Sequence, residues 1–406
     1  MIEKLNISIQ FEDSDVLRVG QLTSVAGKNY FKYDAEFIKT ELNLSPVKLK
    51  FNDSIQPCPT VPFDNLFGIF NDSLPDGWGR LIVDRYLLSI QKSPDQIGAL
   101  DRLSLVGKNG VGALIYQPAD ALVLSDKMPI ELTEYAEKSI QILSGQNQEI
   151  TDEFYRLTGT SGGARPKIQV IYDDQRDALR YGQDVKNENE SHWIIKFPST
   201  FDLPDAAQVE YAYYLMAKDA GIEMAPSKLF QGEKGRYFFG TKRFDRNENN
   251  RLHMHSFAGL VHDDFRLSTL DYGHLIDTAL RLEKNKEVGE KIMRLAMFNV
   301  LTVNQDDHSK NFSFLMDKDG NWRFSPAYDL TFSPNIYGFQ TTSVAGNNKN
   351  ITLEDFQNLA SHFNIENTSG IWNEVNSVIE EWGHYAKMAG VSGVTTSRII
   401  EQLKNK

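Results

Sequence analysis

The stretch NQDDHSKNFSF, residues 304–314, follows the apolar run LAMFNVLTV and sets two adjacent carboxylates, a histidine, a lysine and an asparagine between hydrophobic segments. Asp306 and Asn311 stand five positions apart. That is the separation at which phosphoryl-transfer loops place a carboxylate that accepts the hydroxyl proton and an amide that holds magnesium. A second carboxylate, Asp329 in SPAYDL, follows at the point where another magnesium ligand is expected. The chemistry needs such oxygen ligands, because the metal neutralises phosphate charge while one carboxylate positions the nucleophile. The tripeptide HRD of protein kinases is absent. Asp307 and Ser309 read as turn formers in a solvated loop. His308 reads as a hydrogen-bonded structural histidine, and with no second His or Cys nearby a zinc site is excluded.

Such a site must also grip a triphosphate. HWIIKFPS places Lys196 late in an apolar strand, where a lone ammonium is costly unless it meets an anion; the plainer alternative is a lysine snorkelling from a strand end. LTGTSGGARPK, residues 157–167, has three glycines and three hydroxyls and runs into the strand KIQVIY. Glycines let backbone N–H groups approach phosphates closely, and a strand after the loop differs from a Walker A loop, which opens a helix. RYFFGTKRFDR, residues 236–246, then supplies a strand leading into the helical half, the place of an adenine-binding hinge.

The elements that must carry these groups change character near residue 246. Before it, KLNISIQF, VGALIYQ, KIQVIY, HWIIKF and RYFFGTKRF alternate with period two and predict strands. Within that strand-rich half, AAQVEYAYYLMAKDAG predicts one long helix stopping at Gly221. After it, YGHLIDTALRL, VGEKIMRLAMFNVLTV, GIWNEVNSVIEEWGHYAKMAG and TSRIIEQLK predict helices, interrupted by the hairpin FSFLMDKDGNWRFSP with turn residues DKDGN. DVKNENES (184–191) and DRNENNR (245–251) predict polar loops or mobile tips. The 406 residues, 41% of them hydrophobic, suffice for two or three domains. A net charge of −12 argues against broad, phosphate-driven nucleic-acid binding by the chain alone. No apolar run approaches the ~18 residues of a membrane span. The start MIEKLNISIQFED lacks a signal-peptide profile, and the single Cys58 fits a reducing compartment, so the expected location is the cytoplasm.

Loop, lysine, hinge and Asp/Asn/Asp thus occur in the order a kinase requires. With these motifs the chain resembles the HipA-like serine/threonine kinases, toxins of bacterial toxin–antitoxin systems. NDSLPDGWGRLIVDR and LSLVGKNGVGALIYQP resemble the family's N-terminal subdomain; TSGGARPK, WIIKFP, VEYAYYLMAKDAGI, KRFDR, DDHSKNFSF and SPAYDL resemble its kinase core. The resemblance implies an α+β, two-lobed protein-kinase-like fold: an N-terminal subdomain (1–125), a strand-rich N-lobe (126–245) and a helical C-lobe (246–406). It implies Asp306 as catalytic base, Lys310 against the transferred phosphate, and Asn311 and Asp329 on Mg2+. Lys196 would contact the ATP phosphates, with Thr160, Ser161, Gly162, Gly163 and Lys167 in the covering loop and Lys242 to Phe244 presenting backbone groups to adenine. It further implies autophosphorylation at Thr160 or Ser161 as an off switch and a HipB-like DNA-binding antitoxin as partner, with DNA contacted only through it. The acceptor implied is a protein hydroxyl, with glutamyl-tRNA synthetase the acceptor of well-known members. A small-molecule kinase and a pseudokinase scaffold are the alternative readings on the same fold. In SLPDGWGR, Asp76 and Gly77 read as a turn, Trp78 as a buried anchor and Arg80 as partner to a nearby acid or as a carbonyl cap, forming a structural corner without chemistry of its own.

Overall fold

The computed structural model describes residues 2–119, 130–146, 150–158, 162–182, 184–200 and 202–404. Alternation in KLNISIQFE makes β1 (Lys4–Glu12), which buries Leu5, Ile7 and Ile9 on one side of a sheet. β2 (Asp15–Val25), β3 (Lys28–Tyr33), β4 (Gln56–Pro57) and β5 (Leu114–Gln117) complete it in the order β4-β3-β2-β1-β5. Four helices lie between β3 and β5: α1 (Ala35–Ile38), with α2 (Gly68–Asn71), α3 (Gly77–Ser89) and α4 (Ala99–Val106) after β4.

The second region begins with α5 (Leu132–Leu143) and α6 (Asp152–Thr158). Its sheet comprises β6 (Lys167–Asp173), β7 (Ala178–Arg180), β8 (Glu190–Lys196), β9 (Ser227–Gln231) and β10 (Tyr237–Lys242), ordered β7-β6-β8-β10-β9 and antiparallel throughout. α7 (Ala206–Asp219) crosses between β8 and β9 and ends just before Gly221. The expectation of one helix in a strand-rich half is therefore corrected by α3 to α6. In α3 the buried residues Trp78, Ile82, Val83, Tyr86 and Leu87 have helical spacing, which the flanking glycines and β-branched residues disguise.

The third region holds a sheet of β13 (His253–Ser256), β14 (Ser313–Met316) and β15 (Trp322–Phe324), preceded by the short ribbon β11 (Arg246–Asn247) and β12 (Asn250–Arg251). The remainder is helical: α8 (Phe257–Val261), α9 (Tyr272–Glu283), α10 (Glu287–Leu301), α11 (Leu353–Phe363), α12 (Thr368–Glu380), α13 (Trp382–Ala389) and α14 (Gly393–Lys404). The predicted hairpin turns at DKDGN, where the Asp317 carboxylate accepts the N–H groups of Asp319 and Asn321.

Three apolar cores support this arrangement. One fills the β1–β5 sheet around Phe31, Phe37 and Phe70; a second joins α3, α5 and α6 to the β6–β10 sheet. In the third, α7 packs with α9, α10, α12 and α13. Tyr213 of α7 sets its ring against Phe298 and Trp382 and donates to the Thr302 carbonyl at 2.5 Å.

A buried ionic knot joins the N-terminal region to the rest. Asp245 accepts from Arg243 at 2.7 and 2.9 Å, from Arg246 at 2.8 Å and from the Gly112 N–H at 2.8 Å. Arg246 also donates to the carbonyls of Gly110 and Gly112 at 3.0 and 2.8 Å. The DRNENNR segment, expected as a polar loop, thus starts inside the protein. Glu190 of DVKNENES is likewise buried, paired with Arg180.

Candidate active site

The register of β6 against β8 sets Lys167 directly opposite Lys196. Like charges face to face destabilise a sheet unless anions compensate. The Lys196 ammonium meets Glu210 of α7 at 2.5 Å and the Asp329 carboxylate. Burial disfavours its charge, but Asp329 and Glu210 overcome this and raise its pKa above the ordinary lysine value. Lys196 in turn holds Asp329 well below the usual carboxylate range, whereas burial pushes Glu210 up. For Lys167, burial and then Lys196 push the pKa down. Sequence reasoning missed Glu210. The available signal was a carboxylate on the inward face of α7, between the buried Val209 and Ala212.

α10 delivers the chain to the 304–314 loop. The Asn311 side-chain N–H donates to the Asp306 carbonyl oxygen at 2.8 Å, which fixes the amide and leaves its own oxygen as a ligand atom. Asp306 is exposed to the cavity; partial burial raises its pKa, with His308 opposing and Asp329 adding to the rise. Asp307 departs from the expected solvated turn. It is 1% exposed and accepts from the Tyr272 hydroxyl at 2.6 Å and from the N–H groups of Thr341 and Thr342 at 3.0 and 3.1 Å. Burial pushes its carboxyl up to about 7. The reason is topological: the loop must be fastened to the 341–342 segment, and a buried acceptor does so. Ser309 is also buried, donating to Asp263. His308 Nδ1 has no hydrogen-bond partner among the described residues, contrary to the expected role, and the ring packs on Phe265 at 4.9 Å.

These groups open onto one cavity of about 530 Å³, a size suited to a small organic ligand. Asp306, Lys310, Asn311 and Asp329 line it from the helical side, and Gly162, Gly163, Lys167 and Lys196 from the sheet side. Lys242 and Phe244 line it as well. There the Lys242 N–H is donated to the Pro226 carbonyl and the Arg243 N–H to the His192 carbonyl, both at 2.8 Å. Those two donors are thus engaged within the protein. Thr160 and Ser161 lie outside the described residues. The oxygen donors Asn311 and the ionised Asp329 are of the type that would suit a hard divalent cation. The SLPDGWGR corner also requires correction, because the Asp76 carboxylate lines this cavity and bonds Lys310.

Two antiparallel sheets over a helical body, with a Lys–Glu pair facing an Asp/Asn/Asp set across a cleft, define a two-lobed, protein-kinase-like α+β fold. The chain belongs to the HipA family: the HipA-like C-terminal domain matches residues 159–382 and the HipA N-terminal domain matches 14–117. The serine/threonine-protein kinase toxin HipA of Shewanella oneidensis is 25% identical over 301 residues, covering 67% of this chain and 65% of that protein. A Haemophilus influenzae relative is 27% identical over 198 residues, 45% of this chain and 55% of its own length. The chain thus matches less than two thirds of the length of either relative. The Shewanella oneidensis HipA solved with HipB and operator DNA shares the fold, with a TM-score of 0.66 at 16% identity, covering 98% of this chain and 95% of that one.

Proposed function

We propose that this chain is an ATP- and magnesium-dependent serine/threonine protein kinase of the HipA toxin type. The observation that carries the reading is the convergence of Asp306, Asn311 and Asp329 with the Lys196–Glu210 pair on one cavity. Lys196, fixed by Glu210, holds nucleotide phosphates, and the 162–167 segment covers them. Asn311 and Asp329 hold Mg2+, which neutralises phosphate charge when bound. Asp306 accepts the proton of the attacking hydroxyl; its raised pKa brings it nearer the working pH of a general base. Lys310 faces the transferred group.

The acceptor is a protein hydroxyl, and glutamyl-tRNA synthetase is the first to test, since well-known members of the resembled family act on it. The partner is a HipB-like antitoxin, as in the Shewanella complex, with DNA contacted through that partner. Autophosphorylation at Thr160 or Ser161 switches the enzyme off, because a phosphate adding ~2 negative charges repels bound ATP. The site of action is the cytoplasm. No helix among the described residues is long and apolar enough to cross a membrane.

The test is transfer of labelled phosphate from ATP and magnesium to the protein itself and to a cell extract, with Asp306→Ala as control. Label on a protein acceptor that vanishes with the variant is expected. Transfer that persists in a folded Asp306→Ala protein refutes the assignment, and mass spectrometry finding phosphate only outside 160–161 refutes the switch.

A further inference from the structure

The Asp76 carboxylate accepts from two directions at once: from the Lys310 ammonium, 234 residues away, and from the Gly163 N–H, 87 residues away. The Trp78 N–H donates to the Gly163 carbonyl at 3.0 Å. Both backbone polar groups of Gly163 are therefore taken by residues 76–78. The fit is close. Gly77 has φ +45°, and a Cβ there would lie 2.7 Å from the Gly163 oxygen and 2.8 Å from Ala164 Cα. Gly163 itself has φ +86°, and a Cβ on it would meet the Lys167 ammonium at 2.6 Å. Behind the contact Trp78 is 1% exposed and sets its ring edge-on against Phe154. The paired side chains of Asp76 and Lys310 are only 20% and 18% exposed, which strengthens a charge-assisted bond.

We propose that Asp76 is a positioning residue for phosphoryl transfer, holding Lys310 and the glycine loop in fixed relation so that the N-terminal region sets the phosphate end of the cavity. This rests on the kinase reading above. Lysine is a flexible four-carbon stem ending in three donors. Asp76 restrains the stem through one donor and leaves others for a phosphate oxygen. An acid that merely blocked the phosphate would need a contact free to open. The interlocked backbone of Gly77 and Gly163 makes this one fixed instead.

The experiment compares Asp76→Ala, Asp76→Glu, Lys310→Ala and the Asp76→Ala/Lys310→Ala double variant in the full chain. Steady-state kinetics with magnesium–ATP is one readout, and backbone hydrogen exchange is the other. Asp76→Ala should raise KM for ATP and lower kcat, each by roughly tenfold or more, with partial rescue in Asp76→Glu. In the double variant kcat should fall no more than about twofold below Lys310→Ala, because the residues act as a unit. Exchange at the Gly163 amide should accelerate in Asp76→Ala while α10 stays protected. Kinetics within about twofold of the parent in Asp76→Ala, fully multiplicative effects in the double variant, or unchanged Gly163 exchange would each overturn the proposal. Parent protein that transfers no phosphate would sink the kinase reading instead, and exchange would still report whether Asp76 holds the loop.

Discussion

Two charge clusters, at Asp245 and at Lys196, differ in what they leave open. In the knot at Asp245, every partner is within the protein: Arg243 and Arg246 side chains are 6% exposed, Asp245 5%, and two backbone carbonyls absorb the surplus donors. In the cluster at Lys196, the Asp329 side chain is 40% exposed and faces the cavity, and a second lysine, Lys167, stands across the sheet. A closed network satisfies its own members and acts as a joint. An open one, with cations beyond its carboxylates, is arranged for a ligand that arrives charged.

Substitutions should separate the two. The largest effect is expected from Asp306→Ala and Asp329→Ala, which should lower phosphotransfer on the order of a thousandfold or more while the unfolding midpoint stays near that of the parent; phosphorylation assays paired with thermal melts check this. Asp245→Ala should do the reverse, removing about 3–5 kcal/mol of stability by stranding two buried guanidinium groups, as measured by denaturant titration. Glu210→Gln should be intermediate: Lys196 keeps Asp329 but loses its anchor on α7, so KM for ATP should rise roughly tenfold with the fold intact. The smallest effect concerns Asp307, a closed-type carboxylate inside the 304–314 loop. Its folded pKa of about 7 lies above the unfolded value of 3.8, so the folded state holds its proton longer, and this group's contribution to stability falls as pH rises between those values. Asp307→Asn should flatten that slope by roughly 1–2 kcal/mol, visible as urea midpoints at pH 5 and 7.5 that lie closer together than in the parent.

What could be read from the sequence follows the range of each interaction. Asp306, Asn311 and Asp329 sit in short loops after apolar elements, so residue type and spacing were enough to single out groups that the fold brings to one cavity, and the strand HWIIKF exposed Lys196 as an ammonium out of place. Glu210 was masked by its helix, where one acid among alanines, tyrosines and a valine reads as amphipathic noise. Asp76 was harder, because its meaning depends on contacts 87 and 234 residues distant that no local pattern encodes. Asp307 and Asp306 are neighbours of identical chemistry; only the fold, by burying one beneath Thr341 and Thr342, distinguishes the fastener from the carboxylate that lines the cavity.

The seating of α7 has a mechanical consequence. Its apolar face is anchored among the C-terminal helices through Tyr213, and Tyr385 of α13 reaches back to Asp219 at its end, while Lys196 rides on the sheet. The Lys196–Glu210 bond therefore fastens β8 to a helix that packs both on β9 and β10 and on the C-terminal helices. A spin-label distance between the β6–β10 sheet and α10 would rise in Glu210→Gln, turning a single ion pair into a gauge of how wide the cleft stands.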